Sequence, residues 1–297
     1  MDSLLASWLQ LREPADAAAR SDALTRKIAD ALAANAANET VQVLDLATGT
    51  GSNLRYLAPR LPGRQHWLVV DRAPALLVLL PELMSSWGAA RKYEIGTVSR
   101  NQCVIRGEQI ECHVETRDLD LNSLDDVDIF ADRQLVTASA LLDLVSEQWL
   151  SELAVRCRNV GAAALFGITY NGWSSCSPTE PEDEMIRHLL NQHQKKDKGL
   201  GGPAAGPDAA GCAARSFADI GYRVWTEPSD WMLEPTEREL QRRLIDGWAE
   251  AATELASDDA SRIARWRARR LEHIDAGRSH VVVGHFDIAA CLPQDER

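Results

Sequence analysis

No two of the six cysteines, at positions 103, 112, 157, 176, 212 and 291, are spaced as Cys-x-x-Cys. That scatter speaks against a zinc site or a redox pair and suits reduced thiols better than a disulfide framework. Long apolar runs are missing too. The most apolar stretch, Ala75 to Leu80, is cut by Pro81 and is far too short to cross a bilayer. The start, Met1-Asp2-Ser3-Leu4-Leu5, lacks the basic and long apolar regions of an export signal, so the expectation is a cytoplasmic protein with no membrane partner. Positive charge is in deficit: 32 Lys and Arg stand against 44 Asp and Glu, a formal net charge of −12. A chain of that sign has no field to gather a polyanion, which argues against nucleic acid as substrate. What is present is ordinary for a globular α/β chain of 297 residues, with 45% hydrophobic residues and an unusual nine tryptophans.

Strands and helices alternate along the sequence. Leu24, Ile28 and Leu32 recur at every fourth position of the Ala-rich 15–34 segment and predict an amphipathic helix. Residues 41–46 form a short apolar run closed by a glycine turn, Ala47-Thr48-Gly49-Thr50-Gly51, and a helix follows. The pattern repeats with strands at 66–70, 134–138 and 162–169 and helices at 74–87 and 141–157, and residues 102–119 read as a hairpin. Such alternation implies a doubly wound, mostly parallel sheet. Residues 171–181 read as turns, 182–194 as helix, and 199–211, with five glycines and two prolines, as a mobile loop. A helix at 213–220 and a strand at 222–226 come next, then helices near 236–255 and 259–276, then a β-rich run at 279–286. No internal repeat or linker divides the chain, so one domain over 1–297 is expected.

Glycines between a strand and a helix let a ligand approach backbone that a Cβ would block. Dinucleotide enzymes usually carry a third glycine in this turn, and Leu54 stands in its place. Acids close three successive strands: Asp45 before the turn, Asp71 with Arg72 beside it twenty residues past Gly51, and Asp118 followed by Leu119. An acid at the Asp71 position can accept both hydroxyls of a ribose, while Asp118-Leu119 offers an amino-group acceptor and an apolar contact for a purine.

Residues 43–51, Val-Leu-Asp-Leu-Ala-Thr-Gly-Thr-Gly, resemble the glycine motif of the class I S-adenosylmethionine-dependent methyltransferases. The resemblance covers about residues 40 to 170 well. It implies a seven-stranded Rossmann-like sheet ending in an antiparallel pair, with S-adenosylmethionine held by Asp45, Ala47, Thr48, Gly49, Thr50, Gly51, Asp71, Arg72, Asp118 and Leu119. The 135–143 segment, which contains Ser139, is similar to the family's fourth-strand motif lining the methyl-transfer cavity. An N-terminal helix often lids the site in this family, so residues 1–36 are the expected lid and Arg20 a candidate partner for the cofactor's carboxylate. The Asn/Asp-Pro-Pro-aromatic motif of nucleobase amine methylation is absent at Thr137-Ala138-Ser139-Ala140, which again implies a small-molecule substrate.

The family joins its last two strands briefly, whereas about 50 residues intervene here. Residues 171–211 and 228–278 are therefore the expected helical cap over the substrate opening. Strand topology in an antiparallel ending predicts Ser279 and His280 near the cofactor, with His285 and Asp287 on the far side. Tyr170, Asn171 and His193 are the candidate catalytic residues, the last on the inner face of its helix with Met185 and Leu189. No metal site is expected. Two rival readings stand beside the small-molecule methyltransferase: an NAD(P)-dependent oxidoreductase on a Rossmann fold, and a non-catalytic S-adenosylmethionine-binding regulatory protein. Oligomeric state is not legible in the sequence.

Overall fold

A computed structural model describes residues 2–35, 40–99 and 101–293. Met1 and Ala36 of the expected lid, and the last four residues of the expected domain, lie outside them. In chain order the elements are α1 (Asp2–Ala19), α2 (Asp22–Asn35), β1 (Val41–Leu46), α3 (Ser52–Leu57), β2 (Arg64–Asp71), α4 (Pro74–Arg91), β3 (Glu94–Ser99), β4 (Gln102–Gly107), β5 (Ile110–Asp118) and β6 (Leu135–Ser139). There follow α5 (Glu147–Val160), β7 (Ala163–Ser177), α6 (Asp183–Gln194), α7 (Ala209–Asp219), β8 (Arg223–Pro228), β9 (Trp231–Leu233), α8 (Arg238–Leu255), α9 (Ala260–Asp275) and β10 (His280–Cys291).

The sheet is doubly wound and its central part is parallel, as the alternation of elements implies. Its order is β3-β4-β5-β2-β1-β6-β7-β10-β8, with β9 paired to β10. Strands β5, β2, β1, β6 and β7 run parallel and β10 runs against both β7 and β8. The expected count of seven is corrected to ten among the described residues. The seven strands from β5 to β8 are all there, and three more extend them. β3 and β4 continue the edge as an antiparallel meander, and β9 adds to β10.

Side-chain alternation in the central strands serves two faces. Leu44, Leu46, Val136 and Ala138 pack with Trp149, Leu153 and Phe217 of α5 and α7, while Val41, Val43, Val69 and Leu135 pack with Leu24, Ile28, Leu57 and Leu80 of α2, α3 and α4. Burial on both faces is why these strands read as nearly continuous apolar runs. The ends of α5 are set locally. Ser146 Oγ accepts from Trp149 N at 3.1 Å, and Gly161 at φ 70° closes the helix.

The N-terminal segment departs from a single lid. Arg20 and Ser21 break it into two helices, and Ser21 Oγ accepts from Leu24 N at 3.2 Å at the start of α2. The apolar face of α2 is spent on the sheet, so α1 alone is left to cover the strand ends.

The second departure is in β7. Asn171 and Gly172 read as a turn, yet the strand continues to Ser177: residues 171–173 bulge opposite Gly284, with Gly172 at φ 85°, and pairing with β10 resumes at Ser174. The strand pair therefore outruns the rest of the sheet. Its inner side, with Tyr170, Cys176, Val281 and Val283, carries a third apolar cluster together with Trp231, Ile186, Leu190, Ile245, Trp248 and Trp266. Helices α6, α8 and α9 stand on this extension. No helix among the described residues is long and apolar enough to cross a membrane.

Candidate functional site

The site begins at the end of β1. Ala47 (φ 52°) and Gly49 (φ 56°) are left-handed, which turns the chain sharply into α3. A Cβ on Gly49 would come within 2.9 Å of Leu9 Cδ1, so the turn and helix α1 meet at that point. Asp71, at the end of β2, locks the turn from beside it: Oδ2 accepts from Gly49 N at 2.8 Å and Oδ1 from Ala73 N at 2.9 Å. Burial pushes the Asp71 carboxyl upward, against the pull of those backbone donors. Asp45 locks the turn from below. It is fully buried, its Oδ2 accepts from Thr48 Oγ1 at 2.6 Å and its Oδ1 from Asn53 Nδ2 at 2.7 Å, and burial raises its pKa to about 6.

Above the turn lies a cavity of about 220 Å³. Ala47, Thr48, Gly49, Asp71, Arg72 and Ser139 line it, as do Leu121, Ala140, Leu141 and Leu200. Helix α1 closes its outer side with Leu5, Leu9, Arg12 and Asp16, whose spacing of four, three and four puts them on one face. Arg12 and Asp16 form a bidentate pair, Nε to Oδ2 at 2.9 Å and Nη2 to Oδ1 at 3.1 Å, and Asp16 Oδ1 also accepts from Trp231 Nε1 at 3.1 Å.

Several residues expected around a cofactor stand elsewhere. Asp45, Thr50 and Gly51 support the turn without lining the cavity; the Thr50 carbonyl accepts from Arg55 Nη1 at 2.7 Å. Asp118 is exposed, and neither it nor Leu119 reaches the cavity wall, because the chain turns away after β5 and returns with Leu121. Leu200 belongs to the glycine-rich stretch expected to be mobile, yet it is buried and its carbonyl accepts from Ser146 N at 3.1 Å.

Arg20 lies between the two N-terminal helices, buried, in a smaller cavity of about 110 Å³ that also contains Ser139, Ser52 and Asn53. Its Nε donates to Asp287 Oδ2 at 2.9 Å and its Nη1 to Asn53 Oδ1 at 2.9 Å, while Nη2 is buried with no hydrogen-bond partner among the described residues. Gly167 is glycine because the guanidinium is there: a Cβ would fall 2.4 Å from Arg20 Cζ.

A second cavity, of about 720 Å³, adjoins the first and shares Leu5, Leu9, Arg12, Ala140 and Leu144 with it. Its inner wall holds Asp143, Ile168, Tyr170, Trp231 and His285, and its mouth lies among His193, Gln194 and helix α8. Asp143 is buried and its carboxyl is raised to about 6 by desolvation. The His285 imidazole is driven down to about 3, mainly by burial, so the ring is neutral at ordinary pH. Tyr170 donates its hydroxyl to Asn191 Oδ1 at 2.8 Å, and burial raises its phenol well above the usual range.

His285 and Asp287 are thus at the site, and Ser279 and His280 are not. Gly167 pairs with Ser139 at the strand ends, whereas His280 pairs with Ser177, ten residues and roughly 30 Å of strand further out. The overlong β7 moves the start of β10 away from the cavities. His280 instead meets Glu234 at 3.2 Å on the surface. Asn171 is also displaced: strand alternation sends it away from Tyr170, against Gly284, and its Oδ1 accepts from Trp173 N at 3.0 Å. His193 lines the larger cavity, part-buried, with Nε2 3.0 Å from Glu254 Oε2. Asp143 closes the 135–143 segment, and nothing in one sequence tells which residue of that stretch turns inward. Among the described residues no three His, Cys, Asp or Glu side chains converge as metal ligands.

No protein-family model matches the chain, and no curated protein matches it. Solved structures do resemble it. An O-methyltransferase family protein from Burkholderia thailandensis is 12% identical with a TM-score of 0.44, over 96% of this chain and 59% of that one. A protein from Galdieria sulphuraria, provisionally described as a sarcosine dimethylglycine methyltransferase, is 13% identical with a TM-score of 0.43, over 91% and 85%. The cyclopropane synthase MmaA2 from Mycobacterium tuberculosis is 9% identical with a TM-score of 0.40, over 84% and 78%. At such identities the reaction of this chain has to be judged from its own cavities.

Proposed function

We propose that this chain is an S-adenosylmethionine-dependent methyltransferase acting on a small molecule, with the cofactor in the 220 Å³ cavity and the methyl acceptor in the 720 Å³ cavity. The observation that carries the reading is the shared wall: two cavities of different chemistry meet at Leu5, Leu9, Arg12, Ala140 and Leu144.

The residues present fit such a cofactor. Arg20 Nη2, buried without a partner beside Ser139, is suited to a carboxylate, because an unmatched buried donor is unfavourable until an acceptor arrives. Asp71 keeps lone pairs free on both oxygens after accepting from Gly49 and Ala73, enough for ribose hydroxyls. Leu76, Leu121 and Leu141 supply apolar wall for a purine. When bound, S-adenosylmethionine supplies an electrophilic methyl carbon on a sulfonium.

The chain's own residues then position and exclude. Helix α1 shuts water from the cavity junction with Leu5 and Leu9, and the Arg12–Asp16 pair fixes that helix against Trp231. Tyr170, anchored by Asn191, shapes the acceptor wall rather than taking a proton. Where the acceptor must lose a proton, His193 at the mouth is the group assigned to receive it, oriented by Glu254. The cap over the acceptor consists of α6, α8 and α9 with β9, all resting on one domain.

Calorimetry with S-adenosylhomocysteine tests the reading directly. Saturable binding that is lost in Asp71→Ala is expected. No binding at about millimolar ligand, or a thermal shift produced by NAD and not by S-adenosylhomocysteine, would overturn it.

A further inference from the structure

The inner wall of the larger cavity carries a negative charge that no side chain balances. Asp143 is 7% exposed, and no side chain among the described residues donates a hydrogen bond to its carboxylate. The cations within electrostatic reach are engaged elsewhere. Arg12, over the Trp231 ring at 5.1 Å from its centroid, is held bidentate by Asp16, and Lys198 Nζ donates to the carbonyl of His193 at 3.2 Å; the faces of Tyr170 and Trp248 carry no such cation among the described residues. His285 is neutral, and its Nδ1 is buried without a partner among the described residues. The other charged groups of the lining lie on α8: Asp246 is paired with Arg267 at 2.7 Å, Arg243 with Glu239 at 3.2 Å, and Glu250 is exposed. Trp8, Tyr170, Trp231 and Trp248 supply aromatic surface to the same lining.

A desolvated carboxylate among aromatic rings selects the sign of its ligand. An anion would face Asp143 directly, and a neutral apolar body would leave the carboxylate buried and uncompensated. A cation gains twice, from the carboxylate and from the negative faces of the rings.

We propose that the molecule held in this cavity is a protonated amine on an apolar or aromatic body, its ammonium directed at Asp143 and its body against Tyr170, Trp231 and Trp248. Its identity as the methyl acceptor rests on the methyltransferase reading, and methylation at nitrogen would require the ammonium first to pass its proton to His193, the group assigned above, to free the lone pair; its binding requires neither.

Calorimetric titration of the full chain with benzylamine, benzyl alcohol and benzoate, at about pH 7.5, varies charge at nearly constant shape. Benzylamine is expected to bind about tenfold more tightly than benzyl alcohol, and benzoate more weakly than either. Asp143→Asn keeps the side-chain shape and should bring benzylamine to within about twofold of benzyl alcohol, with affinity for S-adenosylhomocysteine unchanged. Equal binding of benzyl alcohol and benzylamine by the wild type, tightest binding of benzoate, or a cation preference that survives Asp143→Asn would each overturn the proposal. The wild-type ranking needs no variant, so an Asp143→Asn chain that fails to fold does not remove the test. Binding of S-adenosylhomocysteine is read in the same runs: its loss with the amine preference intact counts against methyl transfer, and its presence without that preference counts against the amine.

Discussion

Asp287 Oδ2 lies 2.9 Å from Arg20 Nε, a fully buried ion pair between the link joining the first two helices and the last strand. The same oxygen accepts from Ser21 N at 2.9 Å, and Oδ1 accepts from Ile168 N at 2.9 Å. Ile168 sits at φ 55°, a conformation that a β-branched side chain resists, within an irregularity of the β7–β10 register. One carboxylate thus holds a strained bulge and the N-terminal link together.

Removing that carboxylate should be severe. Asp287→Ala leaves the Arg20 guanidinium buried and unpaired and frees Ile168 N, and a loss of about 3–5 kcal/mol in urea unfolding is expected. Arg20→Met, which removes the charge but keeps most of the volume, should be milder in unfolding yet weaken S-adenosylhomocysteine binding by about tenfold or more. Arg20→Met with unaltered cofactor affinity would remove Arg20 from the cofactor site.

Asp71 and Asp45 should separate under mutation. Asp71 both lines the cavity and holds Gly49, so Asp71→Ala should weaken S-adenosylhomocysteine by about a hundredfold in calorimetry. Asp45 accepts hydrogen bonds from Thr48 of the turn and Asn53 of α3 and does not line the cavity, so Asp45→Asn should act chiefly on the melting temperature. A larger affinity loss in Asp45→Asn than in Asp71→Ala would reverse these roles.

Asp143 gives a pH signature in stability. Its carboxyl is raised from 3.8 to about 6 in the fold, so the native state holds this proton more tightly than the unfolded chain. The associated stability is fully present below about pH 3.8 and is lost as pH rises through about 6. Asp143→Asn, which cannot ionise, should therefore unfold at higher urea than the wild type at about pH 7.5, by up to about 3 kcal/mol, and the gap should close near pH 4. A gap that stays constant between the two conditions would mean the carboxyl does not titrate in that range.

His193 is the residue to test for proton acceptance. With a substrate in hand, His193→Gln should lower kcat by about a hundredfold with KM little changed. A change confined to KM would instead make His193 part of the cavity mouth.

The turn at 47–51 and the acids at 45 and 71 were legible because strand, glycine bend and strand-end acid are local in sequence, and local sterics dictate what they form. The doubly wound, mostly parallel character of the central sheet followed from the alternation of elements; its strand order did not. Asp118 and Leu119 stand off the cavity wall because the path after β5 depends on how residues 119–124 pack, which no short-range pattern encodes. Asn171-Gly172 has turn chemistry, and the structure spends it on a bulge inside β7 and not on the end of the strand, which local sequence does not distinguish.

From its sequence alone the chain determined an α/β sheet with apolar strands buried on two faces, a glycine turn and a carboxylate beside it, since each depends on neighbours a few residues apart. Tertiary structure alone decided that α1 and not α2 covers the strand ends, that β7 and β10 outrun the sheet, and that Asp143, His285 and Trp231 share one wall. Those are contacts between residues tens to hundreds of positions apart, and they form only where apolar area from separate elements is buried together.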